Sequence, residues 1–332
     1  MDQQTDRKKL TIVVKLPAPL QERLASFPFL HLLRQAYPDD LIHLICPSHH
    51  LEALYALPFE GFWHPWDEEE IRTPLGAHRF VTTLRIPSVD IYIALSDSLT
   101  DLCLGQFLRA PKRIAFAEGW KQWLTTIPVT RPVGQHLAEE YFAIYQALSN
   151  LRAPGQLRVQ GRELPPYYPV NPDEPPYLAV DLWPFQPGNF DEFWADYFAL
   201  FEGKRFVLFF GEEEAKGGLM VNHFVDRLPP RNRYDVFLSS DWIELGKMLT
   251  NARGLVCRAG ATASYSTYLG TDALVIYENG DPKRDAPFYN YANWRLMDAR
   301  PVPVTGVPSG LRPKSGVDPV ELFRLTLDTF RF

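Results

Sequence analysis

The sequence predicts an α/β protein of two doubly wound domains that face each other across a central cleft. The chain has 332 residues, and at about 150 residues per domain this length favours two domains. Short β-rich runs alternate with helical patterns in each half, which is typical of βαβ units and parallel sheets. A proline-rich segment over 151–176 separates the halves. We expect a linker there, because proline neither continues a helix nor donates to a sheet.

The first half alternates runs that fit buried strands with patterns that fit helices. The expected strands are Leu10–Leu16, Leu41–Cys46, Asp90–Leu95 and Arg113–Phe116. Between the first two strands, Leu24, Phe27 and Leu30 recur at the spacing of one helix. Further helices are expected over Ser98–Leu108 and Gln135–Ser149. These elements form the predicted first domain, residues 1–150.

The second half repeats this alternation with a different sequence. The expected strands are Tyr177–Leu182, Arg205–Phe210, Tyr234–Leu238, Gly254–Arg258 and Ala273–Tyr277. The expected helices are Phe190–Phe201, Asp241–Asn251, Ala263–Leu269 and Pro319–Phe330. The last of these begins with proline, which suits the first position of a helix. The sequence thus predicts a second domain over 177–318 and a C-terminal helix over 319–332.

Composition and charge exclude several classes of protein. Hydrophobic residues make up 46% of the chain and charged residues 22%, which excludes a disordered or collagen-like protein. The net charge of −6 has the wrong sign for a general nucleic-acid or anionic-membrane binder. Cys46, Cys103 and Cys257 lie far apart, which suits a reducing compartment. No leader peptide or run of about 18 apolar residues is visible. We expect a cytoplasmic protein, and contact with the inner face of the cell membrane stays open.

Common catalytic and cofactor motifs are absent from the sequence. It contains no GxGxxG, P-loop, GxSxG, HExxH or EF-hand pattern. The motifs that usually identify dehydrogenases, kinases and metalloproteases are therefore missing. The adjacent His49 and His50 fit an ordinary loop. The acidic runs Asp67–Glu70 and Glu212–Glu214 fit solvated turns. We therefore expect neither a metal site nor an organic cofactor.

Several longer segments have the character of one enzyme family. Residues 11–47 fit a strand, a loop, a helix and a second strand, and Asp90–Phe116 ends in Ala-Pro-x-Arg-x-x-Phe. His136 and Glu139 match a His-x-x-Glu helix start. Residues 241–288 follow with a helix, a strand, a loop, Leu-Gly-Thr and Asp-Pro-x-Arg-x-x-Pro. Together these segments resemble glycosyltransferase family 9, the ADP-heptose:lipopolysaccharide heptosyltransferases.

The resemblance implies the GT-B fold, in which two Rossmann-like domains face a cleft. It also implies an inverting, metal-independent transfer of a sugar from a nucleotide-sugar donor, ADP-heptose in that family. The acceptor would be lipopolysaccharide or another cell-surface glycan, bound by the first domain, and the donor would bind the second domain. The expected partners are thus a nucleotide sugar and a glycan or lipid-linked glycan, and no nucleic acid.

The family's proposed general base is an aspartate in the loop after the first strand. Aligned from Lys15, this chain has Leu20 and Gln21 where the family has Gly-Asp. Gln21 aligns with the catalytic position but has no titratable group, so it cannot take the proton of an acceptor hydroxyl. The adjacent Glu22 is the candidate base, although its charge equally suits a surface helix N-terminus.

The family's donor loop reads Asp-Ser/Thr-Gly-x-x-His, and this chain lacks both the acid and the histidine. The donor-binding candidates that the alignment leaves are Gly260, Ala261, Thr262 and Ser264. Backbone N–H groups at such a helix start can hold a diphosphate without any charged side chain. Arg258 can add a cation there or form a salt bridge at the strand end.

Three further donor-binding candidates lie in the second domain. Glu213 follows the second strand of that domain, where the family holds an acid near the donor nucleoside. Asp281 and Arg284 match the Asp-Pro-x-Arg motif, although Asp-Pro also suits an ordinary turn. The family's donor-phosphate lysine has no counterpart in residues 183–189, whose aromatic residues either pack the linker or stack on a sugar or base.

These replacements leave two alternatives to a heptosyltransferase-like enzyme. A catalytically degenerate GT-B protein would bind a glycan, a nucleotide or a protein without transferring sugar. A divergent transferase would use a different donor, because a new donor would bring a new loop. A carboxylate within reach of the anomeric carbon would favour an enzyme over a binding protein.

Overall fold

The computed structural model describes residues 9–49, 51–55, 59–67, 69, 71–148, 168, 170–182, 190–210, 224–238, 241–278, 281–287, 293–299 and 317–331. The chain divides into two units, Met1–Gln160 (unit 1) and Gly161–Phe332 (unit 2). Each unit contains one six-stranded sheet, and its strand pairs are parallel. None of the helices in these ranges has the length and apolar character needed to cross a membrane. The predicted α/β class is confirmed in both units.

The sheet of unit 1 has fully buried strands at its centre. Its strands are β1 (Thr11–Lys15), β2 (Leu41–Pro47), β3 (Phe62–Trp66), β4 (Ile91–Ala94), β5 (Lys112–Phe116) and β6 (Ile127–Val129). They lie in the order β3-β2-β1-β4-β5-β6. Every residue of β1 and β4 is buried. A parallel sheet is covered on both faces, which explains why its central strands are nearly continuous apolar runs.

Unit 1 has two helices where the sequence pattern predicts one continuous helix after β1. Its helices are α1 (Leu20–Ala25), α2 (Phe27–Ala36), α3 (Leu51–Tyr55), α4 (Pro74–Thr83), α5 (Leu99–Phe107) and α6 (Leu137–Leu148), with a 3-10 helix at Gly119–Leu124. The prediction of one helix is wrong, because the chain breaks at Ser26. Pro28 has no N–H for the carbonyl four residues earlier, and its ring crowds that carbonyl. Pro28 instead occupies the first turn of α2, which accepts a proline.

Unit 2 repeats the strand order of unit 1. Its strands are β7 (Leu178–Leu182), β8 (Arg205–Phe210), β9 (Arg233–Phe237), β10 (Gly254–Arg258), β11 (Ala273–Tyr277) and β12 (Trp294–Asp298). They lie in the order β12-β11-β10-β7-β8-β9. In each unit the first and fourth strands along the chain are therefore neighbours at the centre of the sheet.

The helices of unit 2 enclose an aromatic core. They are α7 (Phe190–Ala199), α8 (Trp242–Asn251), α9 (Ala261–Leu269), α10 (Pro282–Asp285) and α11 (Pro319–Phe330). Trp194 and Tyr197 of α7 are fully buried, and their rings meet edge to face with centroids 5.6 Å apart. The Tyr197 hydroxyl also lies 3.0 Å from Thr326 Oγ1. This contact fixes the C-terminal helix α11 against α7.

Candidate functional site

The strand order of unit 2 reverses between β7 and β10. The chain runs outward from β7 through β8 to β9, and then outward in the opposite direction from β10 through β11 to β12. The connections that leave β7 and β10 therefore diverge beyond the carboxyl ends of these two strands. In open α/β sheets this divergence forms the crevice in which ligands bind. The loop after β10, with its predicted donor-binding residues, borders this switch point.

Gly260 carries the chain from β10 into α9. Its φ is 156° and its ψ is −161°, a conformation that residues with a side chain rarely adopt. A Cβ added at Gly260 would have no described atom within 4 Å. The φ angle, and not crowding, therefore accounts for the glycine. Among the described residues, the space beside Gly260 is open.

The N-terminus of α9 has no side-chain cap within the described part of the chain. The first N–H groups of a helix have no carbonyl partner inside it, and the helix dipole makes them attractive to an anion. Ala261 and Thr262 are partly exposed in this first turn, which contains no acidic residue. The helix start therefore offers backbone donors to a phosphate group.

Ser264 lies on the buried side of α9. It is 6% exposed, and its amide donates to the Gly260 carbonyl at 3.2 Å within the helix. The side-chain hydroxyls of Ser266 and Thr267 also donate within the helix, both to the Ala263 carbonyl. The Ser264 amide thus belongs to the helix, whereas Ala261 and Thr262 lie at its exposed start.

Two charged residues lie near a buried thiol at the carboxyl ends of β7 and β10. Arg258 ends β10 and is partly exposed. Burial raises the pKa of the Cys257 thiol well above its ordinary value, Asp181 raises that pKa further, and Arg258 lowers it. Asp181 is buried in β7, one residue beyond the paired Val180 and Val256. The sequence analysis missed Asp181, although an aspartate inside an apolar strand was a visible signal.

Asp281 and Arg284 form part of a short structural turn after β11. Asp281 precedes α10, and its Oδ1 accepts a hydrogen bond from the Lys283 amide at 3.0 Å. Asp285 Oδ2 accepts one from the Asp281 amide at 3.3 Å. The Arg284 guanidinium lies 3.4 Å from Asp285 Oδ1. One Asp281 oxygen therefore caps the turn, the structural role that the sequence also allowed.

The candidate base of unit 1 lies in the first turn of α1. The strand order of this unit reverses between β1 and β4, and α1 follows β1. Gln21 and Glu22 are both partly exposed in that turn, where the helix dipole favours a negative charge. Arg23 is buried and donates from Nη1 to the His49 carbonyl at 3.0 Å. This bond anchors the turn that carries Glu22.

A buried ion pair, which the sequence analysis missed, lies at the end of β1. Lys15 Nζ is 3.5 Å from Asp101 Oδ1, and the two side chains are 1% and 9% exposed. The same ammonium group donates to the Leu16 carbonyl at 2.8 Å and lies 4.1 Å from the centroid of the Trp66 ring. Asp101 also accepts a hydrogen bond from Ser96 Oγ. The pair therefore joins the segments that leave β1 and β4.

Other predicted positions have either a structural role or no description. His136 Nδ1 accepts from the Ala138 amide at 3.1 Å, and Glu139 Oε2 accepts from the His136 amide at 3.2 Å. This His-x-x-Glu pair therefore caps α6. Glu213 and residues 183–189 lie outside the described residues, as does most of the predicted linker.

Solved structures show which known proteins share this architecture. A family 9 glycosyltransferase from Veillonella parvula has a TM-score of 0.72 at 14% identity, covering 97% of each chain. E. coli ADP-heptose lipopolysaccharide heptosyltransferase II has a TM-score of 0.69 at 16% identity, covering 97% of this chain and 99% of that one. E. coli heptosyltransferase WaaC with ADP has a TM-score of 0.71 at 12% identity, covering 96% and 100%. The chain has the GT-B fold.

The likeness to these GT-B proteins concerns fold. At 12–16% identity a shared architecture does not by itself fix the reaction. No protein-family model matches the sequence, and no curated protein matches it. The predicted resemblance to family 9, as a divergent member of the GT-B fold, is thus confirmed in three dimensions.

Proposed function

We propose that this protein is a glycosyltransferase that binds a nucleotide-sugar donor in unit 2. The observation that carries the proposal is the start of α9, which no described side chain caps and which the chain enters through Gly260 at the switch point of a GT-B sheet. The similar protein WaaC was solved with ADP and also with ADP-2-deoxy-2-fluoro heptose. ADP and ADP-sugars are therefore the first donors to test.

The helix start would stabilise the leaving group of the transfer. In the reaction the bond between the anomeric carbon and the diphosphate breaks, and the nucleoside diphosphate leaves with the bonding electrons. The backbone N–H groups of Ala261 and Thr262 are suited to hold this developing charge, and Arg258 adds a cation at the end of the neighbouring strand. We expect these groups to stabilise the leaving diphosphate without a metal ion.

Unit 1 would bind the acceptor and provide the general base. An acceptor hydroxyl attacks the anomeric carbon and inverts it, while its proton passes to a carboxylate. Glu22 is the proposed base, because it is partly exposed at the start of α1 and Gln21 cannot take a proton. The proposed acceptor is a cell-surface glycan such as lipopolysaccharide, which would place the reaction at the cytoplasmic face of the cell membrane.

A thermal-shift panel with a matched pair of variants tests donor binding. ADP, UDP, GDP, dTDP and their common sugar conjugates, including ADP-heptose, are added in turn. A ligand at about 100 times its Kd stabilises the protein by about 2.7 kcal/mol. Thr262→Glu places a carboxylate in the first turn of α9, where the dipole favours it but a phosphate does not tolerate it. Thr262→Gln has a similar size without the charge.

We expect one nucleotide class to stabilise the wild type and Thr262→Gln and to leave Thr262→Glu unaffected. A flat response to every nucleotide would overturn the proposal. An equal shift in Thr262→Glu and Thr262→Gln would show that the diphosphate does not bind at the start of α9.

A second candidate function is binding without transfer. The observation that favours it is sequence chemistry: Gln21 stands at the family's base position, and the donor loop has neither its acid nor its histidine. Release of nucleotide from the donor identified above, measured with a glycan acceptor, separates the two candidates. Glu22→Gln should abolish that release if Glu22 is the base, and unchanged turnover would remove the assignment. Donor binding without any release of nucleotide would show that the protein binds the donor but does not transfer its sugar.

A further inference from the structure

Two exposed tryptophans share one face of the 3-10 helix in unit 1. Trp120 is 62% exposed and Trp123 is 86% exposed. In a 3-10 helix the side chains of residues three apart eclipse each other, so the two indoles project from the same side. Large aromatic side chains are seldom this exposed, and an exposed apolar patch often marks a binding surface.

The backbone under the two tryptophans is firmly anchored. Gly119 begins the helix with a φ of 58°, which suits glycine. Lys121 Nζ then donates to the Asp97 carbonyl at 2.8 Å. At the far end, Gln106 Nε2 and Arg113 Nε donate to the Leu124 carbonyl at 3.3 Å and 3.2 Å. These bonds hold the helix in place while Trp120 and Trp123 remain exposed.

The helix lies beside the segment that leaves the central strand β4. It follows β5, the neighbour of β4 in the sheet, and Lys121 ties it to Asp97 in the connection from β4 to α5. The same connection contains Ser96, which bonds to Asp101 of the Lys15–Asp101 pair. The helix thus begins at the switch-point end of unit 1, the unit proposed to bind the acceptor, and runs away from it, because Leu124 lies beside Arg113 at the start of β5.

We propose that Trp120 and Trp123 form a platform that binds the acceptor glycan away from the reacting hydroxyl. This inference rests on the proposed function of unit 1. The face of an indole ring carries negative charge density and attracts the polarised C–H groups on one face of a pyranose ring. The exposed side chains of Glu118 and Gln122 lie beside the indoles in the sequence and can bond to sugar hydroxyls.

Charge favours a glycan over a lipid surface as the occupant of the platform. Indoles also insert at membrane interfaces, but stable anchoring there draws on basic residues that attract anionic lipid. Here Lys121 is the one basic residue of the 3-10 helix, the carboxylates of Glu118 and Asp97 are both exposed, and the chain carries a net charge of −6. A neutral, hydroxyl-rich sugar residue of the glycan fits this surface better than an anionic bilayer.

The test measures glycan binding to the full chain without nucleotide. The probes are maltohexaose, chitohexaose and delipidated lipopolysaccharide, titrated by calorimetry, with phosphatidylglycerol–phosphatidylethanolamine vesicles as the lipid probe. The variants are Trp120→Ala, Trp123→Ala and Trp123→Phe. Phe62→Ala is the matched control, because Phe62 is 53% exposed on β3, at the opposite end of the sheet from β6. Thermal unfolding of each variant checks that it remains folded.

We expect at least one glycan to bind, with at least a tenfold loss of affinity in either alanine variant. Trp123→Phe should retain part of the affinity, and Phe62→Ala should retain all of it. Glycan affinity that is unchanged in the alanine variants, or no binding of any glycan, would overturn the platform. Tryptophan-dependent binding of vesicles alone would replace it with a membrane contact. Because no nucleotide is present, failure of the donor site at Thr262 would be seen separately in the thermal-shift panel.

Discussion

Lys15 and Asp101 form an ion pair inside unit 1, with Nζ and Oδ1 3.5 Å apart and both side chains almost fully buried. Lys15 ends the central strand β1, and Asp101 lies in the first turn of α5. Taking two charges out of water is costly, so such a pair depends on its other hydrogen bonds. Leu16 and Ser96 provide them, one to each partner. The pair thereby fixes the end of β1, from which the chain continues into α1 and Glu22.

Removal of one charge of this pair should destabilise unit 1 strongly. Lys15→Met leaves the Asp101 carboxylate buried without its cation, which costs about 3–5 kcal/mol in the free energy of unfolding. The double variant Lys15→Met/Asp101→Leu removes both charges and should recover much of that loss. Urea unfolding of the three proteins measures the difference. A double variant no more stable than Lys15→Met would show that the pair is not the source of the effect.

Gly254→Ala should loosen the C-terminal helix of unit 2. A Cβ at this position of β10 overlaps the Phe330 ring of α11. Overpacking a core in this way costs about 1–3 kcal/mol in the free energy of unfolding. Phe330→Leu in the Gly254→Ala background should recover part of the loss, because the smaller side chain gives the added methyl group room. Thermal unfolding provides the comparison, and an unchanged midpoint in Gly254→Ala would contradict the packing.

The His43–His64 pair should make the protein less stable in mild acid. His43 Nδ1 lies 2.9 Å from His64 Nε2 across β2 and β3. Burial lowers the pKa of both imidazoles below the ordinary value of 6.5, and His64 lowers that of His43 further. Below that value the unfolded chain binds protons that the folded pair resists, so stability falls as the pH drops from about 6.5 towards the folded pKa values.

A histidine variant tests this pH dependence. His64→Gln keeps a hydrogen-bonding side chain on β3 but removes one titrating group and its effect on His43. Unfolding midpoints measured from pH 7.5 to pH 5 should fall less steeply in His64→Gln than in the wild type. Parallel curves for the two proteins would contradict the prediction.

The cysteines should differ in their reactivity towards a thiol reagent. Burial raises the pKa of Cys46 to about 12 and that of Cys257 well above its ordinary value, and both side chains are fully buried. Cys103 is partly exposed, and burial raises its pKa as well. Because the thiolate is the reactive form, Cys103 should be the one cysteine that reacts in the folded protein at pH 8, and its reaction should be slow.

A thiol titration measures this difference. Cys103→Ser should abolish the slow reaction of the folded protein, and denaturant should expose the remaining thiols in both proteins. Rapid reaction of more than one thiol in the native state would contradict the described burial of Cys46 and Cys257.

The sequence predicted the central strands better than the edge strands. β1, β7, β10 and β11 are covered on both faces, and their residues are therefore apolar in continuous runs that are visible in one dimension. The edge strand β3 contains His64 and Pro65, and both β3 and the edge strand β12 have mixed exposure. Neither has a run of buried residues, so the sequence analysis predicted no strand at either place.

The candidate site of unit 2 was partly predictable because part of its signal is local. Gly260 and Arg258 lie between a clear strand and a clear helix, and this context was sufficient to single them out. The Lys15–Asp101 pair joins residues far apart in the chain through the packing of β1, β4 and α5. No pattern in the sequence indicates which buried charges meet, because their pairing depends on the order of the strands.

The central claim is that unit 2 holds a nucleoside diphosphate at the start of α9, and a crystal structure of the complex tests it most directly. The ligand is the nucleotide that stabilises the wild type and fails to stabilise Thr262→Glu. The account predicts phosphate oxygens about 2.7–3.2 Å from the backbone nitrogens of Ala261 and Thr262, with Arg258 facing the same diphosphate. A diphosphate bound elsewhere in the protein, with the start of α9 in contact with water alone, would contradict it.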